Sequence, residues 1–151
     1  MDIEIREARF DEPEVQKLVA EALADLSQRY GGNGDDTPVT PADFAPPGGR
    51  FFVAVDGGEL VGSAGWRTHG EDAELKRMYT APAARGRGVA RRLLATVEES
   101  ARADGRRRVI LETGDQQPEA IALYESSGYH RIDDFGYYQD EPGVLSFARE
   151  L

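Results

Sequence analysis

The sequence predicts an α/β fold, a mixed sheet covered by helices, and three observations carry that expectation. Apolar spacing alternates between period 2 and period 3.6, a strand–helix–strand unit occupies the middle of the chain, and turn-forming residues separate the segments. A length of 151 residues with 40% apolar content suffices for one core, so residues 1–151 are expected to form a single domain.

The elements follow in order. "IEIREA" (3–8) reads as a strand. Asp11 and Glu14 then make a D-x-x-E start signal, after which Val15, Leu18, Val19, Ala22, Leu23 and Leu26 share one face of a helix running to about Arg29. Residues 30–49, "YGGNGDDTPVTPADFAPPGG", are crowded with glycine and proline and predict a loop holding at most a short helix. A loop of that length in a small domain is either disordered or functional. "RFFVAV" (50–55) and "ELVGSAGWR" (59–67) flank "DGG" and predict a hairpin, and "AELKRMYT" (73–80) a further strand.

A helix from about Gly88 to Asp104 turns Val89, Leu93, Leu94, Val97 and Ala101 inward and leads to a strand at "RRVILE" (107–112). That unit implies a parallel or splayed strand pair with a right-handed connection. "QPEAIALYESSGY" predicts a short helix with Pro118 in its first turn and Gly128 beyond its end. Two strands, near "RIDDFGYY" and at "VLSFARE", complete a β-α-β-β-β-α-β-α-β-β order.

Composition removes several functions. The chain has no cysteine, which excludes a disulfide framework, a thiolate nucleophile and a thiolate metal site, and no metal is expected. The segment "MDIEIREARF" lacks the apolar run of a secretion signal, and no window approaches the roughly 20 apolar residues of a membrane span. A cytoplasmic location without a membrane partner is the expectation.

The charge is unevenly distributed. Residues 76–108 hold ten lysines and arginines against Glu98, Glu99 and Asp104, a local +7 in a chain of net charge -10. A nucleic-acid binder would be basic over a whole face, so no nucleic acid is expected; one small polyanion at one place suits the pattern better. The plain alternative is a solvated arginine-rich helix face.

"RGRG" (85–88) lies between a strand and the start of a helix, where unpaired N–H groups and the positive end of the helix dipole attract phosphate. Glycines allow close approach, and arginines at the rim add charge-assisted contacts. A Walker loop is excluded, because no G-K-[ST] follows. A dinucleotide fingerprint wants glycine where Arg91 stands and an apolar leading strand, whereas this strand carries Lys76 and Arg77.

"ELKRMYTAPAARGRGVARRLL" resembles the acetyl-CoA motif Q/R-x-x-G-x-G/A of the GCN5-related N-acetyltransferases, with Arg85, Gly88 and Ala90 on its defining positions. "LETGDQQPEAIALYESSGYHRI" resembles the second signature of the same family. The resemblance implies the family's fold, with splayed middle strands, and acetyl-CoA as co-substrate. It implies that the amides of Gly86, Arg87, Gly88, Val89, Ala90 and Arg91 hold the pyrophosphate, with the arginines beside it. It implies pantetheine lying against the free backbone of Met78, Tyr79 and Thr80, with an amide near Met78 polarising the thioester carbonyl. Gln117 stands where many relatives have asparagine, and would contact CoA.

The same resemblance places Tyr124 on the residue that protonates the departing thiolate. Glu112, twelve positions earlier, matches a base glutamate of some relatives, including ribosomal-protein amino-terminal acetyltransferases; Glu74 is the rival, and either would act through water. His69 and His130 lie in no motif. With no cysteine to carry an acyl group, direct attack by a primary amine in a ternary complex is the simpler route.

Residues 30–49 and "FGYYQDEPG" (135–143) lie where the family walls its acceptor pocket, and offer Tyr30, Asp35, Asp36, Phe44, Tyr137, Tyr138, Asp140 and Glu141. The acceptor stays open between a small-molecule amine and a peptide amine, and a homodimer stays open as the assembly. Two function classes stand: a catalytic N-acetyltransferase, and a non-catalytic CoA-binding or regulatory module of the same fold.

Overall fold

The computed structural model describes residues 2–151, which form one seven-stranded sheet in the order β1-β2-β3-β4-β5-β7-β6. The strands are β1 (Ile3–Glu7), β2 (Gly49–Asp56), β3 (Glu59–His69), β4 (Asp72–Thr80), β5 (Arg108–Gly114), β6 (His130–Arg131) and β7 (Val144–Glu150). The helices are α1 (Pro13–Tyr30), α2 (Val89–Ala103) and α3 (Pro118–Ser126), with 3-10 turns at Pro41–Phe44 and Pro82–Ala84. All pairings are antiparallel except β4 with β5.

Alternation along the strands makes two cores. Phe51 and Val53 of β2 face α1 and join Phe10, Val15, Val19 and Phe44. Phe52 and Ala54 face the other way, toward α2 and α3, with Trp66, Leu93, Leu94, Val97, Tyr124 and Phe147. Trp66 is fully buried, and its indole N–H donates to Ser100 Oγ of α2 at 2.9 Å. That bond satisfies the one polar atom the ring carries inward.

Two sequence expectations shift. The D-x-x-E signal does not cap α1: Asp11 is bound by Arg9, the cap is Glu12 without a side-chain bond, and Pro13 opens the helix. The strand expected near 131–138 is only the two-residue β6. The Ile132 N–H still reaches Ser146 O at 3.0 Å, but Asp134 then takes the Ser146 hydroxyl at 2.9 Å, and the chain leaves the sheet edge to cross over β5.

The feature that makes the site is how little of β4 and β5 pair. Only Ala73 with Val109 and Glu74 with Ile110 are matched, after which the strands part. On its other edge β4 carries a bulge: Tyr79 faces Ser63 but Lys76 faces Gly65, so β4 has one residue more than β3 between those pairs. Arg77 takes up the excess in a left-handed conformation, φ 58°, with its carbonyl accepting from Ser63 Oγ at 2.8 Å.

Candidate active site

The splay opens a cavity of about 760 Å³, walled by α1 (Ala22, Leu23, Leu26, Tyr30), by β4 (Leu75 to Met78) and by β5 (Leu111 to Gly114). Gln117, Tyr124, Gly34–Asp36, Tyr137, Tyr138 and Glu141–Val144 complete its lining. Leu23 and Leu26, which fall on the core face of α1 by periodicity, both line this space, and Leu23 also packs against the core of Phe10, Val15 and Phe51.

Toward α2, the end expected to take the acyl donor and opposite the expected acceptor end, the lining is mostly backbone. Ala81 N–H bonds Val61 O at 2.8 Å, so alternation turns the polar groups of Tyr79 to β3 and those of Met78 and Thr80 toward the open side. The expected trio therefore divides. Met78 and Thr80 present backbone to the gap, and Tyr79 does not. The Thr80 carbonyl already accepts from Arg85 Nε at 3.0 Å, and the Arg85 guanidinium lies 5.9 Å from the centre of the Tyr79 ring.

Gly86 and Gly88 have φ of 78° and 76°, and a Cβ at either would touch nothing within 4 Å. Glycine is there for its backbone conformation. Gly88 is the cap of α2, so the N–H groups of Val89, Ala90 and Arg91 have no partner one turn back within the helix, and no acidic residue stands in that first turn. The arginines are less free than the charge count implies. Arg87 bonds Asp56 at 3.0 Å, Arg91 reaches Ser126 and Ser127, and Arg92 donates to Ile3 O. Arg102, Arg106, Arg107 and Arg108 pair with Glu99, Asp104, Glu71 and Asp72. Asp56, Glu71 and Asp72, from outside the stretch, offset part of the local +7 in space. Arg85, whose nearest carboxylate is 3.8 Å away, and Arg91 remain at the loop.

Where donor and acceptor ends meet, Tyr124 is buried with its hydroxyl 3.6 Å from the Met78 sulfur, and burial pushes its phenol well above the ordinary value. Glu112 lines the same cavity. Burial raises the Glu112 carboxyl, and Glu74 and Asp35 reinforce that against the Tyr138 N–H and Lys76. Glu112 Oε2 accepts the Tyr138 N–H at 3.0 Å, while Oε1 is buried without a partner. Gly136 permits this arrangement: a Cβ there would lie 2.6 Å from the carboxylate.

Glu74, the rival base, is placed elsewhere. Its carboxylate accepts from Arg67 Nε at 2.9 Å, its side chain is 3% exposed, and it does not line the cavity. Gln117 does line the cavity, but as the residue before α3 it accepts helix amides and its side-chain amide points to Tyr30 Oη, 3.4 Å away. Phe44 is core, packed against Phe10 and Phe51, and Asp140 does not line the cavity.

The acceptor end holds one cluster that periodicity could not foretell. The bulge brings Lys76 and Arg77, neighbours in sequence, to the same carboxylate: both bind Asp35, Lys76 at 3.3 Å. Thr37 Oγ donates to Asp35 at 2.6 Å, and Tyr138 Oη donates to it at 2.9 Å while accepting the Asp36 N–H. Burial opposes the Asp35 charge, yet Lys76, Thr37 and Arg77 outweigh it and hold the carboxyl below the usual carboxylate range. The Tyr138 phenol is pushed up to about 12 by burial and by Asp35. Tyr138 thus links Glu112 to this cluster, and the loop at 31–40 is tied down over the cavity.

Comparison with known proteins agrees with this geometry. Residues 18–129 match the model of the acetyltransferase (GNAT) family. An IAA acetyltransferase of Azospirillum brasilense is 42% identical over 110 residues, 72% of each chain. Among solved structures, an acetyltransferase of the GNAT family from Staphylococcus aureus superposes with a TM-score of 0.81 at 18% identity over 99% of both chains. The PaiA N-acetyltransferase of Thermoplasma acidophilum, solved in complex with coenzyme A, gives 0.75 at 17% identity over the whole of both chains. The chain belongs to the acetyltransferase (GNAT) family, and it is an acetyltransferase with that family's fold.

Proposed function

We propose that this chain moves the acetyl group of acetyl-CoA to a primary amine by direct attack within a ternary complex. The observation that carries the reading is the parting of β4 and β5 into a cavity that Glu112 and Tyr124 share. CoA, which the Thermoplasma relative binds, fits the residues present. An open strand edge at Met78 and Thr80 suits an extended amide-bearing arm. The free amides of α2, entered through Gly86 and Gly88, suit a pyrophosphate. Bound there, acetyl-CoA supplies an activated acyl carbon and a thiolate leaving group.

The chain's own groups supply the rest. The Met78 N–H polarises the thioester carbonyl and meets the charge that develops on its oxygen. Glu112, with one carboxylate oxygen held by Tyr138 and the other unpartnered, removes the ammonium proton through water, and its raised basicity suits that task near neutrality. Tyr124, whose phenol burial keeps protonated, gives its proton to the sulfur as the C–S bond breaks, where the same dry surroundings raise the basicity of the departing thiolate above its ordinary value. Among the described residues no group of side chains could hold a metal ion, and no helix is long and apolar enough to cross a membrane.

The test is thiol release from acetyl-CoA against a panel of amines, beside thermal shifts with CoA and NAD. CoA raises Tm and at least one amine releases thiol if the reading holds. Stabilisation by NAD and not by CoA overturns it, and stabilisation by CoA with no thiol release from any amine leaves a CoA-binding module.

A further inference from the structure

We infer that the acceptor carries a carboxylate beside its amine, and that Lys76 and Arg77 receive it. The inference rests on the acetyl transfer proposed above and names the substrate class of the same cavity. Two cations, each with a side chain 7% exposed, share one carboxylate, that of Asp35, which is 15% exposed. Their two positive charges meet the single charge of Asp35 directly, and Glu112, the further carboxylate joined to the cluster, is reached only through Tyr138. Arg77 Nε is buried and has no hydrogen-bond partner, so the guanidinium retains an unused donor. A buried unmatched donor is costly, and a ligand oxygen would relieve it.

The backbone is bent to make this pair. Without the extra residue in β4, alternation would send Lys76 and Arg77 to opposite faces of the sheet; the left-handed φ of 58° at Arg77 brings both to Asp35. An arginine in that conformation is strained, and such strain gathers where function requires a particular direction.

The remaining charges complement an amino acid rather than a simple amine or a simple acid. Glu112 lines the cavity and is joined through Tyr138 to the same cluster, and the exposed carboxylates of Asp36 and Glu141 stand among the lining residues at the mouth. An ammonium is drawn toward Glu112 and a carboxylate toward Lys76 and Arg77, so a zwitterion is held by both ends with its amine at the base. Asp35 lies on a loop whose Gly31, Gly32 and Gly34 all have positive φ. Its carboxylate shows by its own binding that the cation pair accepts the group expected of the substrate.

The experiment uses α-amino acids, each beside its carboxamide and its decarboxylated amine, with thiol release from acetyl-CoA as readout. A charge-assisted hydrogen bond to a buried cation predicts that acids exceed their carboxamides by about 10- to 100-fold in kcat/KM, mainly through KM. Lys76→Met and Arg77→Gln should each shrink that acid-to-amide ratio at least fivefold, and circular dichroism checks that both variants fold. Carboxamides or decarboxylated amines used as well as the acids overturn the inference, as does a ratio that survives both substitutions. Should no amine release thiol, the reaction itself is misread. Calorimetric titration of the same acids and carboxamides into CoA-saturated protein then decides the carboxylate site alone: tighter binding of acids supports it, and equal binding refutes it.

Discussion

The two ends of the cavity are built from different parts of the polypeptide. The donor end uses backbone: a strand edge left unpaired at Met78 and Thr80, and helix amides reached through two glycines of positive φ. The acceptor end uses side chains drawn from four separate segments, with Asp35, Lys76, Arg77, Glu112 and Tyr138 in one hydrogen-bonded set. A backbone site tolerates many side chains and constrains only conformation. A side-chain site constrains identity at each position and leaves the spacing between them free. The donor end should therefore respond to changes of conformation, and the acceptor end to changes of single polar groups.

The largest effect is expected where the ends meet. Tyr124→Phe keeps the ring that packs near Tyr129 and Phe147 and deletes only the proton that the hydroxyl can give. Loss of a general acid should lower kcat by about 10²- to 10⁴-fold with CoA affinity within a few-fold of normal. An acyl donor with a less basic leaving group should recover part of the rate. A near-normal rate, with chemistry shown to be limiting, would make Tyr124 a core aromatic and nothing more.

Next is the base. Glu112→Gln should lower kcat/KM by about 10²-fold at neutral pH, with partial recovery at high pH where the amine deprotonates unaided. In the unaltered protein the acid limb of kcat/KM should lie above the ordinary carboxylate value of 4.5, because burial raises Glu112 and activity is lost as pH falls through that raised value. Glu74→Gln should instead act through stability, since its carboxylate is committed to Arg67. A high-pH rescue seen for Glu74→Gln alone would exchange the two roles.

The same contrast explains what could be read from sequence. "RGRG" before a helix exposes the donor end because a demand for positive φ leaves glycines at fixed spacing, and the helix faces and the hairpin follow from periodicity. The acceptor end left no such trace. Nothing in "ELKRMYT" distinguishes a regular strand from one with an extra residue at Arg77, so the meeting of Lys76 and Arg77 at Asp35 could not be foreseen. For the same reason Asp35 stood only as one of several loop residues near the acceptor pocket, although two cations already hold it. The strand expected near 131–138 failed because its aromatic residues resemble a strand, while Asp134 and Gly136 divert the chain over Glu112.

A smaller effect separates conformation from charge at the donor end. Gly88→Ala adds a methyl group that meets nothing but must adopt a φ of 76°, which costs roughly 1–2 kcal/mol. CoA affinity, measured by calorimetry, should fall by about tenfold or less if part of that strain is relieved by turning the α2 amides away. Gly88→Glu adds a carboxylate beside the amides and should weaken CoA further, with the extra loss reduced by salt. Equal losses for the two variants would mean that no anion binds there.

An effect on stability, with none required on the rate, concerns how the acceptor loop is held. Asp35→Asn keeps the size of the side chain and its capacity to accept from Thr37, but removes the charge that Lys76 and Arg77 face. Leaving two nearly buried cations side by side should cost about 1–3 kcal/mol, or several degrees in Tm for a domain of this size. The pH dependence distinguishes charge from packing. In the folded protein Lys76, Thr37 and Arg77 hold the Asp35 carboxyl below its ordinary 3.8, so the unfolded chain takes up a proton first as pH falls. Stability from this charge is complete above the unfolded value, and it declines as pH drops below about 4 toward the depressed folded value. The Tm gap between the unaltered protein and Asp35→Asn should be full and constant from pH 5 to 8, then narrow below pH 4. A gap that persists unchanged in acid would show that Asp35 holds the loop by shape and hydrogen bonding. The cation pair would then be neutralised in some other way, and the contrast between a conformational donor end and a charge-built acceptor end would lose its main support.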